Sequence, residues 1–128
     1  MIDDEADVLY KKINWNHLVY ALSNFSTIVS VLITGEKDAR SRVLNVASGV
    51  SYNIPFLPEY KSLKNRAEKI ITRLTLYSDW GLDDHYRESL FRMRNKTASK
   101  LARDIYGIYC DLLLIREQRE HDKREGKE

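Results

Sequence analysis

Residues 13–35 read INWNHLVYALSNFSTIVSVLITG, 23 positions without a single Asp, Glu, Lys or Arg. Residues 43–58, VLNVASGVSYNIPFLP, form a second uncharged stretch of 16 positions. In the chain as a whole 31% of residues are charged, and a helix on a protein surface normally carries charges along its solvent side. The two stretches therefore predict two helices with largely apolar surroundings.

The rest of the composition also favours helices. The chain has 128 residues with only two prolines and five glycines, so long segments run without a residue that breaks a helix. We predict a single all-α domain, residues 1–128, of about four helices. Its parts are an uncharged helical hairpin (8–58), a pair of amphipathic helices (59–115) and a charged tail (116–128).

Local signals predict where the hairpin helices begin and end. The first helix is expected from about Asp7 to Thr34, with Gly35 in the left-handed conformation as its stop. The second is expected from about Asp38, a good N-cap residue, to Tyr52.

Two prolines, Pro55 and Pro58, separate the hairpin from the amphipathic pair. The third helix is expected over about 59–77, opened by Pro58, with one apolar face formed by Leu63, Ala67, Ile70, Ile71 and Leu74.

The fourth helix is expected to begin near Asp83 or Asp84, since carboxylates suit the positive end of a helix. Its apolar stripe continues past an interruption at Arg94. From Arg116 onward the chain is dominated by charged residues, and we expect a solvated tail that frays.

Small or weakly polar side chains follow one side of the first uncharged helix. They are spaced by four, three, four and three residues, which is typical of a narrow contact stripe between two helices. The second helix repeats the pattern. We call these residues the polar seam and predict that they mediate self-association: Asn16, Tyr20, Ser23, Thr27, Ser30, Asn45 and Ser48.

Three environments accept such helices: the centre of a soluble bundle, a contact between copies of the chain, and a bilayer, where small polar residues line helix contacts. The first stretch has the roughly 20 positions that span a bilayer, but it contains three asparagines and a histidine. The second is shorter and contains two asparagines and two prolines. Membrane insertion and burial within protein both stay open.

The order of elements resembles the SLATT group, the two-transmembrane effector domains found beside bacterial conflict and anti-phage systems. The resembling residues are Leu9-Tyr10-Lys11-Lys12 before the first uncharged helix, the short turn, the second uncharged helix, and then EYKSLKNRAEKI (59–70). The last string resembles the amphipathic helix that follows the hairpin in that group. The resemblance covers about residues 8–77, and it implies a non-enzymatic membrane effector or accessory subunit.

Positive charge is concentrated in the middle of the chain. Residues 59–103 carry eleven Lys or Arg against six Asp or Glu, a net charge of +5, whereas residues 1–12 and 104–128 each have a net charge of −2. We predict a surface for an anionic partner, with a solvated helix face as the alternative. Its candidate residues are Lys61, Lys64, Arg73, Tyr86, Arg92, Lys96 and Lys100.

No catalytic or metal-binding pattern is recognisable in the sequence. The three histidines are far apart and lack a second ligand at metal spacing, and there is no Gly-rich phosphate loop or nucleophile elbow. We predict no catalytic residues, no metal and no cofactor. The single cysteine, Cys110, lies in an apolar string and is expected to be a packed, inert thiol in a reducing compartment.

These observations predict a non-enzymatic helical effector or accessory protein that acts by membrane contact or self-assembly, as a homo-oligomer. It is expected in the cytoplasm or at the cytoplasmic face of the inner membrane. The alternative is a soluble oligomeric helical-bundle adaptor, of a kind that a phage can encode, that binds nucleic acid or a protein.

Overall fold

The computed structural model describes residues 10–35, 38–75 and 94–126, which form four α-helices and no β-strand. The all-α prediction is therefore confirmed. The helices are α1 (Trp15–Thr34), α2 (Ala39–Asn53), α3 (Lys61–Leu74) and α4 (Asn95–Arg124), and a short 3₁₀ turn, Ile54–Phe56, follows α2.

The start of α1 differs from the prediction. Tyr10 and Lys11 are helical, but the helix does not run on from there, and α1 begins only at Trp15. The side chain of Asn14 accepts a hydrogen bond of 3.1 Å from the backbone N–H of His17. Asn14 is thus the N-cap, and a single helix running from Asp7 to Thr34 was the wrong prediction because an internal asparagine competes for the cap.

Gly35 ends α1 as predicted, but for a different reason. Its φ of −62° and ψ of 138° are extended rather than left-handed. The guanidinium of Arg42 donates a hydrogen bond of 2.9 Å to the carbonyl of Leu32, and a Cβ at position 35 would lie 2.5 Å from Cγ and Cδ of Arg42. Glycine is needed here so that Arg42 can reach the last carbonyls of α1.

Helix α2 begins where the sequence indicated. Asp38 is its N-cap and accepts a hydrogen bond of 3.0 Å from the backbone N–H of Ser41. The helix ends at Asn53, one residue beyond the predicted end, and Pro55 lies in the 3₁₀ turn. Pro58 does not open the next helix as predicted, because α3 begins three residues later, at Lys61.

Helix α4 departs from the prediction at both ends. Arg94 is extended (φ −75°, ψ 151°), so one helix cannot run through it from Asp83 or Asp84, which both lie outside the described residues. At the other end the helix continues to Arg124. The segment from Arg116, expected to be a solvated tail, is helical and makes two contacts with the described N-terminal part: Arg119 lies 4.4 Å above the centre of the Trp15 ring, and Tyr10 donates a hydrogen bond of 3.1 Å to Asp122.

The core lies where α4 packs against α1, α2 and α3. Helix α3 contributes the predicted apolar face, with Leu63, Ala67, Ile70 and Leu74 buried and Ile71 half-buried. Burial of these side chains is the main stabilising term of such a bundle. The other buried apolar residues of the helices are Leu18, Ala21, Leu22, Phe25, Ile28, Val29 and Leu32 of α1, Ala39, Val43, Val46, Ala47 and Val50 of α2, and Ala98, Leu101, Ile105, Ile108 and Leu112 of α4.

Candidate functional site

The polar seam lies on the outside of the bundle. Helix α1 turns its large apolar residues towards α2 and α4, and the seam occupies the opposite side. Every predicted member is exposed in the single chain: Asn16, Tyr20, Ser23, Thr27, Ser30, Asn45 and Ser48.

Apolar side chains flank the seam on α1. Val19 is 58% exposed and Ile33 is 67% exposed. No charged residue occurs anywhere in Trp15–Thr34. The outer face of α1, which we define as its exposed residues from Asn16 to Thr34, is therefore uncharged along its whole length and partly apolar.

An aromatic cluster joins the N-terminal half of α1 to the end of α2. The Phe56 ring lies 5.2 Å from His17, 5.0 Å from Tyr20 and 5.9 Å from Tyr52, measured between ring centroids. A hydrogen bond with Tyr20 raises the pKa of Tyr52. Tyr20 and Tyr52 are nevertheless 43% and 61% exposed, so the cluster extends the uncharged surface around from α1 onto α2.

Sequence reasoning missed this cluster. Tyr20 belongs to the polar seam, but Phe56 comes after α2 in a stretch that the sequence identifies only as a connector. The 3₁₀ turn brings its ring back to α1, and no local pattern signals that return.

The predicted anionic surface is distributed over several places. Arg73 and Lys100 line one groove of about 660 Å³ between α3 and α4. Lys61, Lys64 and Lys96 lie on the same two helices outside that groove, and Lys64 is 3.9 Å from the carboxylate of Glu59. Tyr86 and Arg92 lie outside the described residues.

Two cations that the sequence analysis did not select also line the groove. Arg66 and Lys69 of α3 join Arg73 there. Arg66 also makes an ion pair of 2.6 Å with Asp111 of α4, passing close over Gly107. The helical spacing of these residues was visible in the sequence, but which helix α3 would face was not.

The described parts of the chain contain no group of three or more His, Cys, Asp or Glu side chains that could hold a metal ion. Cys110 is half-buried, and its hydrogen bond with Tyr106 raises the pKa of that tyrosine. His17 packs against Phe56, and His85 lies outside the described residues.

Comparisons with protein-family models, curated proteins and solved structures gave no match. One helix among the described residues, α1, is long and apolar enough to cross a membrane, with a mean hydropathy of 1.4 over 18 residues. By length and composition alone a core helix of a water-soluble bundle passes the same test.

Proposed function

We propose that this chain is a non-enzymatic helical protein that acts by self-assembly, with the outer face of α1 as the contact between copies. The observation that carries the proposal is the exposed side of a 20-residue helix without one charged side chain. An exposed helix face normally carries charges, and an uncharged, partly apolar face favours contact with another protein surface.

The chemistry of this face favours a second copy as the partner. Ser23, Thr27 and Ser30 are small, so another helix can approach closely along them. A partner with a charged face would have to bury its charges without a counter-charge on α1, which is costly. A second α1 offers the same small, uncharged residues. A two-fold axis brings the outer face of α1 in one copy against the same face in the other.

Membrane insertion is the second candidate, and it is the role implied by the resemblance to SLATT domains. The length and hydropathy of α1 favour it. Two features favour assembly instead. The apolar side of α1 already packs against α2 and α4, and α2 has 15 residues, which at about 1.5 Å per residue is well short of the roughly 30 Å hydrocarbon core. A defence-associated accessory role and a cytoplasmic location belong to the same proposal.

Placing charges on the seam tests the proposal. S23K/S30K should abolish assembly while leaving the helical content unchanged, because both serines are exposed in the single chain. The matched control is S62K/S99K, which makes the same change at exposed serines of α3 and α4. Multi-angle light scattering gives the mass, and circular dichroism reports the fold. Equal masses for wild type and S23K/S30K would contradict the proposal.

A second variant separates assembly from membrane insertion. S23L/S30L fills the seam and makes α1 more apolar, so close helix contact should be lost in either case, since overpacking costs about 1–3 kcal/mol. A bilayer helix would float with lipid vesicles, and the leucine variant would float at least as well. The assembly proposal predicts that neither the wild type nor the variant floats.

A further inference from the structure

The groove between α3 and α4 is a second surface, separate from the outer face of α1. It measures about 660 Å³, a size in the range of small-molecule sites. The ion pair of 2.6 Å between Arg66 and Asp111 ties its two walls together. The groove therefore lies between two helices that contact each other directly in the bundle.

Four of the ten described residues that line it are cations, and two are acids. Lys69 and Arg73 lie one turn apart on α3, and Lys100 comes from α4. Within the described residues none of these three has a carboxylate at ion-pair distance, in contrast to Arg66. Cations that the described part of the chain leaves without a carboxylate, grouped around one concave surface, raise the local positive potential and favour an anion there.

We infer that this groove binds the phosphate group of a small phosphorylated molecule, with Arg73 and Lys100 as its charged contacts from the two walls. A guanidinium can bind a phosphate with two parallel hydrogen bonds, and an ammonium adds a compact charge. Thr72 and Thr97 also line the groove, one from each helix, and their hydroxyl groups can donate to the remaining phosphate oxygens.

The acidic residues of the groove favour a small ligand over a nucleic acid. Glu68 and Asp104 share the lining with the cations. A nucleic-acid strand needs a continuous positive track for its backbone, and two carboxylates interrupt such a track. A compact molecule with one phosphate group can instead use the cations for the phosphate and the carboxylates for its hydroxyl or amino groups.

Titration with inorganic phosphate, followed by isothermal calorimetry, tests the inference. Wild type should bind it saturably, one per chain, and R73Q/K100Q should weaken binding by about tenfold or more, since hydrogen bonds to charged groups are lost. K61Q/K96Q is the matched control, because it removes the same net charge from exposed positions of the same helices outside the groove. It should bind within about twofold of wild type, apart from weak long-range screening effects.

Three results would overturn the inference. They are no saturable binding by folded wild type, equal weakening in R73Q/K100Q and K61Q/K96Q, and tighter binding of a single-stranded oligonucleotide that both variants weaken alike. Thermal unfolding of each variant reports its folding, and the single substitution K100Q on the surface of α4 gives an independent measure if R73Q/K100Q is unstable. Because the groove does not include α1, assembly should be unchanged in all of these variants.

Discussion

Asn24 of α1 donates a hydrogen bond of 2.8 Å to the side-chain oxygen of Asn53 at the end of α2. Asn53 in turn donates one of 2.7 Å to the carbonyl of Gly49. Among the described residues Asn53 is the one buried polar side chain, 2% exposed. A buried amide is stable only when its hydrogen bonds are made, so this pair fixes how α1 and α2 lie against each other and thereby where the outer face of α1 points.

Removing the Asn53 amide should destabilise the bundle. N53A removes the acceptor of the Asn24 amide and the additional side-chain bond to Gly49, and the lost hydrogen bonds cost about 1–3 kcal/mol. Chemical denaturation followed by circular dichroism measures the loss. N65A, at an exposed asparagine of α3 outside the polar seam, is the control and should stay within about 0.5 kcal/mol of wild type. Equal stability of the two variants would show that the buried pair contributes nothing.

Two glycine-to-alanine substitutions should have opposite effects. G35A should lower the free energy of unfolding, because its Cβ would lie 2.5 Å from Arg42 and 2.9 Å from the Val31 carbonyl. G49A should raise it by up to about 1 kcal/mol, because alanine favours a helix interior and the nearest atom to its Cβ, Cδ1 of Ile28, would be 3.4 Å away. Denaturation midpoints of the two variants measure this directly, and a stabilising G35A would refute the role assigned to Arg42.

Asp38 should make stability depend on acid pH. The backbone N–H of Ser41, followed by the Ser41 hydroxyl and Arg40, lowers the pKa of Asp38 below its usual 3.8. A carboxylate with a lowered pKa stabilises the fold at pH values above the unfolded pKa, and that contribution disappears as the pH falls through the lowered folded pKa. In D38N the amide still caps α2 but does not titrate. The free energy of unfolding of the wild type, relative to that of D38N, should therefore be constant at neutral pH and fall below about pH 4.

The sequence predicts best the features that are local. The N-cap at Asp38 is predictable because an N-cap depends only on the next three residues of the chain. The buried face of α3 is predictable from the spacing of Leu63, Ala67 and Ile70. It predicts less well where two signals compete. Asn14 caps α1 inside the segment that the pattern predicts as one helix, and on either side of it Tyr10 and Trp15 contact the far end of α4, which no local pattern shows.

For the candidate surfaces, too, local features were predictable and features that depend on helix packing were not. Helical spacing places Asn16, Ser23 and Ser30 on one side of α1, and all three are exposed in the single chain. Spacing could not show that Arg73 and Lys100 share a groove, because that depends on α3 packing against α4. It also could not anticipate the ring of Phe56 against Tyr20, since a 3₁₀ turn after a proline-containing connector has no distinctive pattern.

The mass of the wild-type chain in solution tests the central claim most directly. Light scattering over a micromolar concentration series, without detergent, should give at least twice the 15.0 kDa of one chain. The larger species should increase with concentration, because the proposed contact through the outer face of α1 joins two copies. A constant mass of 15.0 kDa across the series would contradict self-assembly through α1 and leave this exposed face without its proposed partner.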